Sequence, residues 1–201
     1  MSFIENYVPK FICNTKDQFD WVQIINNIEL QGGHPNFLLT GNVEEDQSVY
    51  KYFTDEKFLP TDNHDWGPAV VRAGYNWKTV RWTDYEMVEI DPDLVKKFGE
   101  LVGAKYLRCF ISKVEPGVAV AMHWDEGDVQ YRTPTYMDKI YRYTCFIDRN
   151  NIGQTFLVDG HCFHNEEQGN IYEWGHYTNF HGSYNVSGFP HYIFHYLGYK
   201  E

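Results

Sequence analysis

The sequence predicts a mainly β fold, a single domain of short strands braced by helices from the N-terminal part of the chain. Three observations carry this. The texture changes near residue 104. Beyond that point, apolar-rich runs alternate with turn formers at intervals of roughly 8–15 residues, the pattern of an antiparallel barrel or jelly roll. Before it, apolar residues are scattered among turns, except in two stretches that recur at helical spacing. At 201 residues the chain suits one good-sized domain better than two. Residues 1–104 read as a helical and irregular support region, and residues 105–201 as the β-core.

The first helical stretch covers residues 18–28, where Phe19, Val22, Ile25 and Ile28 recur. Gly32-Gly33, Asp62-Asn63 and Asp65-Trp66-Gly67-Pro68 then mark turns. The second helix has its own punctuation: Asp91 as N-cap, Pro92 at the first helical position and Gly103 just past the end. Between them Leu94, Val95, Phe98, Leu101 and Val102 form a stripe that must pack on something. Strands are predicted at 106–114 and 118–124 around the turn Glu115-Pro116-Gly117, then at 139–147, 154–158, 170–174, 177–181 and 191–199.

Composition narrows the function. With 28 acidic and 17 basic residues the net charge is −11, which argues against a general electrostatic grip on duplex nucleic acid. Aromatic residues make up 18 % of the chain, as expected of a packed domain and not of a disordered one. No run of apolar residues is long enough to span a bilayer, and the start MSFIENYVPK lacks the charged-then-apolar order of a secretory signal. Cys13, Cys109, Cys145 and Cys162 form no CxxC pair, so reduced thiols and a cytoplasmic setting are expected. Without secretion, Asn185-Val186-Ser187 has no meaning as a glycosylation acceptor.

Chemistry concentrates in Ala121-Met122-His123-Trp124-Asp125. Residues two apart on a strand share a face, so His123 and Asp125 project together. An imidazole and a carboxylate aimed at one point supply most of a facial triad, which suits Fe(II) and leaves coordination positions open. A third ligand must come from a distant strand. His161, His164, His176, His181, His191 and His195 are all downstream. His161 and His164 lie in a polar loop and read as solvent-exposed, with a second metal the lesser reading. His176 follows Trp174-Gly175 and rivals His181. His195 shares strand parity with His191 and reads as a core histidine.

Residues 109–199 resemble the catalytic half of the 2-oxoglutarate/Fe(II) dioxygenases of the aspartyl/asparaginyl β-hydroxylase and free-proline hydroxylase type. The blocks occur in order: Pro116-Gly117, His123-Trp124-Asp125, Arg142-Tyr143-Thr144-Cys145-Phe146, Gly169-Asn170-Ile171-Tyr172, and His181-Gly182-Ser183-Tyr184-Asn185-Val186-Ser187. The resemblance implies a double-stranded β-helix, also called a jelly roll and shared with the cupins, with His123, Asp125 and His181 as both the catalytic and the metal residues. It implies Fe(II) as metal and 2-oxoglutarate as co-substrate, whose negative charge suits the single net positive charge left on such a site. Such enzymes usually carry Arg ten residues past the distal His, to hold the far carboxylate of the co-substrate. Here that position is His191, so Arg142 and His191 are expected to share the task, His191 as the lesser partner, with Arg132 a weaker candidate. The expected activity is hydroxylation of an amino acid, a protein side chain or another small polar substrate. The alternative is a non-catalytic jelly-roll module with a vestigial metal site, which the substitution at His191 favours. A cupin metalloenzyme without an oxoacid ranks below both, because its paired histidines are missing near His123.

Overall fold

The computed structural model describes residues 8–37, 81–123, 139–148, 152–175, 179 and 181–200. Asp125, Arg132 and His176 lie outside these residues, and His123 is placed through its backbone. In chain order the elements are β1 (Lys10–Asn14), α1 (Trp21–Gln31), β2 (His34–Phe37), β3 (Arg81–Glu86), α2 (Met87–Ile90), α3 (Pro92–Val102), β4 (Lys105–Val114) and β5 (Ala119–His123). There follow β6 (Ile140–Phe146), β7 (Gln154–Val158), β8 (His161–His164), β9 (Asn170–Trp174), β10 (His181–Asn185) and β11 (His191–Tyr199).

The strands form two antiparallel sheets. The larger has the order β1-β9-β6-β11-β4-β3-β2 and the smaller β5-β10-β7-β8. They pack face to face through Phe146, Trp174 and Ile193 of the large sheet and Phe156, Val158 and Phe163 of the small one. This is the predicted jelly roll. The opposite face of the large sheet is covered by the helices, through a second core containing Trp21, Ile28, Phe98, Tyr143, Cys145, Phe194 and Tyr196.

Helix α3 forms as its punctuation predicts. The Asp91 carboxylate accepts from the Leu94 N–H at 2.9 Å, and Gly103 closes the helix in the left-handed conformation. Leu94, Val95, Phe98 and Val102 are buried, with Leu101 packed at the margin. The ring of Phe98 meets those of Phe194 at 4.6 Å and Tyr196 at 5.3 Å. Helix α1 starts later than its apolar spacing suggests, because the Asp20 side chain caps it by accepting from the Gln23 N–H.

The N-terminal region is more than helical support. Its strands β1 and β2 form the two edges of the large sheet, and β3 pairs with β4. Both edge strands are short, and β2 carries Pro35, which an edge tolerates because its missing N–H breaks no interior ladder. Such strands lack the alternation that betrays a half-buried strand, which is why the sequence pattern does not announce them. Residues 161–164, expected as loop, form the edge strand β8, with Phe163 buried between exposed neighbours. Of the predicted strand 177–181, residues 177, 178 and 180 lie outside the described residues, and His181 opens a strand where it was expected to close one.

Phe98→Ala should cost about 3–5 kcal/mol in urea unfolding, the usual range for an aromatic truncation in a tight core. Gly99→Ala should also destabilise, although alanine is the better helix former. Its added Cβ would stand 2.3 Å from Tyr196 Oη and 3.1 Å from the Ala104 carbonyl.

Candidate functional site

The inner face of the large sheet is set by strand register. On β11 the even residues Tyr192, Phe194 and Tyr196 join the helical core, while Ile193 and His195 turn toward the small sheet. His195 sits between Phe110 of β4 and Thr144 of β6, and Leu197 sits between Arg108 and Arg142. These rows floor a cavity of about 220 Å³ between the sheets. Asp84, Arg108, Ser112, Arg142 and His195 line it from one side, and Phe156, His181 and Ser183 from the other.

His181 is 7 % exposed and packs its ring 4.8 Å from Trp174. Its Nδ1 lies 3.0 Å from the Asn179 carbonyl oxygen. A carbonyl only accepts, so Nδ1 carries the proton and a neutral ring keeps its lone pair on Nε2. Histidines that bind metal are commonly oriented this way, one ring N–H donated to a carbonyl and the other nitrogen given to the ion. Asn179 is itself held, its amide donating to the Asp159 carboxylate. The backbone of His123 stands directly across from His181 in the β5–β10 register. The donor chemistry of His181 therefore fits a divalent metal. Among the described residues no group of three or more metal-binding side chains is assembled.

Arg142 is 4 % exposed, with its guanidinium 5.2 Å above the Trp174 ring. A guanidinium in such a cavity is matched to a carboxylate, which it can hold by two parallel bonds. Arg108 also lines the cavity, but it donates from Nε and Nη2 to the Glu86 carboxylate at 3.1 and 2.6 Å and stacks on Phe110.

The structure brings Arg142 and His181 to one cavity and leaves His191 outside its lining. His191 is buried, its Nδ1 2.5 Å from the Asp148 carboxylate, which also accepts from the Tyr192 N–H. Burial pushes the Asp148 carboxyl above its ordinary range, against the opposing pull of His191 and the Tyr192 N–H. His161 and His164 are exposed on β8, away from this lining.

Two contributors escape a reading of the sequence, and a third reads there as a core histidine. Asp84 and Trp82 arrive on β3, whose alternating Trp82-Thr83-Asp84 is the only trace of them in the sequence. Burial raises the Asp84 carboxyl above its usual range, while hydrogen bonds from Ser112 Oγ (2.5 Å) and Trp82 Nε1 (3.2 Å) and the charge of Arg108 pull it back. The third is His195, stacked on Phe110 at 5.0 Å and 3.3 Å from Thr144 Oγ1.

No protein-family model and no curated protein matches the chain. Among solved structures, similar folds include a viral collagen prolyl hydroxylase from Paramecium Bursaria Chlorella virus-1, in complex with 2-oxoglutarate. It is 13 % identical, with a TM-score of 0.44 over 66 % of this chain and 86 % of that one. An oxidoreductase of the 2-oxoglutarate/Fe(II) oxygenase family from Burkholderia pseudomallei is 18 % identical, with a TM-score of 0.38 over 57 % and 55 %. A predicted oxalate decarboxylase from Thermotoga maritima is 12 % identical, with a TM-score of 0.37 over 59 % and 81 %. Likenesses this distant carry no argument about activity, which must come from the cavity itself. Among the described residues no helix is long and apolar enough to cross a membrane.

The raised Asp84 carboxyl has a stability consequence with a definite sign. A carboxyl whose folded pKa exceeds its unfolded value of about 3.9 stabilises most below that value, and the stabilisation is lost as pH rises through the folded pKa. The unfolding free energy of the wild type minus that of Asp84→Asn should therefore fall as pH rises above about 4, the unfolded value. Urea unfolding across that range reads the slope, and a difference that rises with pH would contradict the assignment.

Proposed function

We propose that the protein is an Fe(II)- and 2-oxoglutarate-dependent dioxygenase that hydroxylates an amino acid, a protein side chain or another small polar substrate. The observation that carries this reading is the meeting of His181, its lone pair on Nε2, with the buried guanidinium of Arg142 in one cavity. The backbone position of His123, directly across from His181 in the β5–β10 register, supports it further. In this reading His123, Asp125 and His181 hold the metal.

When bound, the metal and co-substrate supply oxidative decarboxylation: 2-oxoglutarate, O2 and a substrate C–H become succinate, CO2 and a C–OH. This chain's residues do the rest. Asn179 fixes the ring of His181 through Nδ1 and keeps the other nitrogen aimed away from the carbonyl. Arg142 takes the far carboxylate, its guanidinium placed over the Trp174 ring. His191 serves this pocket from behind: its tie to Asp148 pins the start of β11, the strand that carries His195 into the cavity. Phe156, Val120 and Ile193 line the cavity with apolar surface, which excludes water and strengthens each charge interaction inside. Four thiols without a disulfide fit a reducing cytoplasmic setting for such an enzyme.

Anaerobic addition of Fe(II) and then 2-oxoglutarate should produce the weak visible charge-transfer band of the chelate. His181→Ala should abolish it, whereas His176→Ala should leave it. Arg142→Met should keep metal binding and weaken 2-oxoglutarate at least tenfold, the usual loss when a charged hydrogen-bonding pair is broken. A wild-type protein that binds metal and never 2-oxoglutarate would remove the co-substrate from this reading and leave the non-catalytic module in its place.

A further inference from the structure

Among the described residues two imidazoles line the cavity, and their hydrogen bonds put them in opposite states. His181 is protonated on Nδ1, as its carbonyl partner requires. His195 faces a hydroxyl instead, and the proton count runs through that hydroxyl. Trp174 Nε1 can only donate, and it donates to Thr144 Oγ1 at 2.7 Å. Thr144 is fully buried, so its own hydroxyl proton needs an acceptor inside the protein. His195 Nδ1, at 3.3 Å, is that acceptor. The neutral ring of His195 then carries its proton on Nε2. Stacking on Phe110 at 5.0 Å, with planes 29° apart, and contact with Phe156 at 5.7 Å hold the ring in place.

Resting on the reading above, we infer that His195 is a ligand-binding residue whose Nε2–H donates to an oxygen of the dicarboxylate held by Arg142, and that Trp174 and Thr144 act as positioning residues that fix this tautomer. The register supports the partnership. Thr144 is directly opposite His195, and Arg142 is two residues from Thr144 on the same face of β6. A diagonal pair of this kind is within reach of one small ligand. Trp174 serves both members, stacking beneath Arg142 and donating to Thr144. The arrangement also divides the labour between the imidazoles: the one with its lone pair on Nε2 suits a metal, and the one with its proton there suits an anion.

The test has two readouts. Long-range proton–nitrogen correlation spectra of the metal-free protein, labelled with nitrogen-15 histidine, report which ring nitrogen bears the proton. His195 should be protonated on Nε2, and Thr144→Val should mix its tautomers while Thr144→Ser keeps them. Calorimetric titration of 2-oxoglutarate into the Mn(II)-loaded protein gives the binding. His195→Leu should weaken it about 10- to 100-fold, the usual loss when a donor to a charged oxygen is removed. His195→Gln, whose terminal amide can donate from nearly the same place, should recover most of the loss, and it keeps the test decisive if the leucine variant does not fold. A proton on Nδ1 of His195 overturns the inference. So does undiminished binding in His195→Leu when Arg142→Met is weakened, and that result leaves the dioxygenase reading standing. Absence of 2-oxoglutarate binding in the wild type overturns both.

Discussion

Strand β11 is hydrogen-bonded along both edges and buried on both faces, and the rest of the molecule is arranged around that double burial. One face presents Tyr192, Phe194 and Tyr196 to the helices, and the other presents Ile193 and His195 to the cavity. A slip of one residue would exchange the two sets, sending aromatic rings into the ligand space and an imidazole under α3. The register is therefore held from both sides, by β4 and β6 along the strand and by the ring of Phe98 wedged against Phe194 and Tyr196.

Burial of this kind makes every polar group in the interior costly unless it is matched. The chain answers with local pairs. The Asn185 amide donates to the carbonyls of Val114 and Phe189, joining β10 to β4 at the far end of the sandwich from His181. Gln154 reaches the Pro190 carbonyl, and Asp148 gathers both His191 and the Tyr192 N–H. These bonds fix the loop that leads into β11, so the strand enters the core at one register. The Asn-x-Ser that follows His181 thus has a structural role as a clasp, with Ser187 Oγ donating to Asn185 Oδ1 at 2.7 Å.

The cavity concentrates charged and titratable side chains. Asp84, Arg108, Arg142, His181 and His195 all border it, together with Ser112, Ser183 and a set of aromatic and aliphatic side chains. A carboxylate lies on the β3 side and Arg142 on the β6 side, so the space is electrically asymmetric. Such a field orients a polar ligand before any contact is complete.

Much of this was legible in the sequence. Capping by Asp91, Pro92 and Gly103 specified α3, because caps are local chemistry. Alternation and turn residues placed β4, β6, β7, β9 and β11, and Arg142 and His181 stood out by residue type and order. What the sequence could not settle is relational. The short edge strands β1, β2 and β8 lack a full alternating pattern, since an edge has only one neighbour to satisfy. Asp84 lies far from His181 in sequence and meets it only when β3 joins β4. His191 looked like a candidate for the ligand because position and charge were all the sequence offered, and only packing revealed its bond to Asp148. The proton positions on His181 and His195 are more remote still, since each depends on which acceptor or donor another strand supplies. Local propensity is written in neighbouring residues; the state of a buried titratable ring is written in its partners, and tertiary structure alone chooses those.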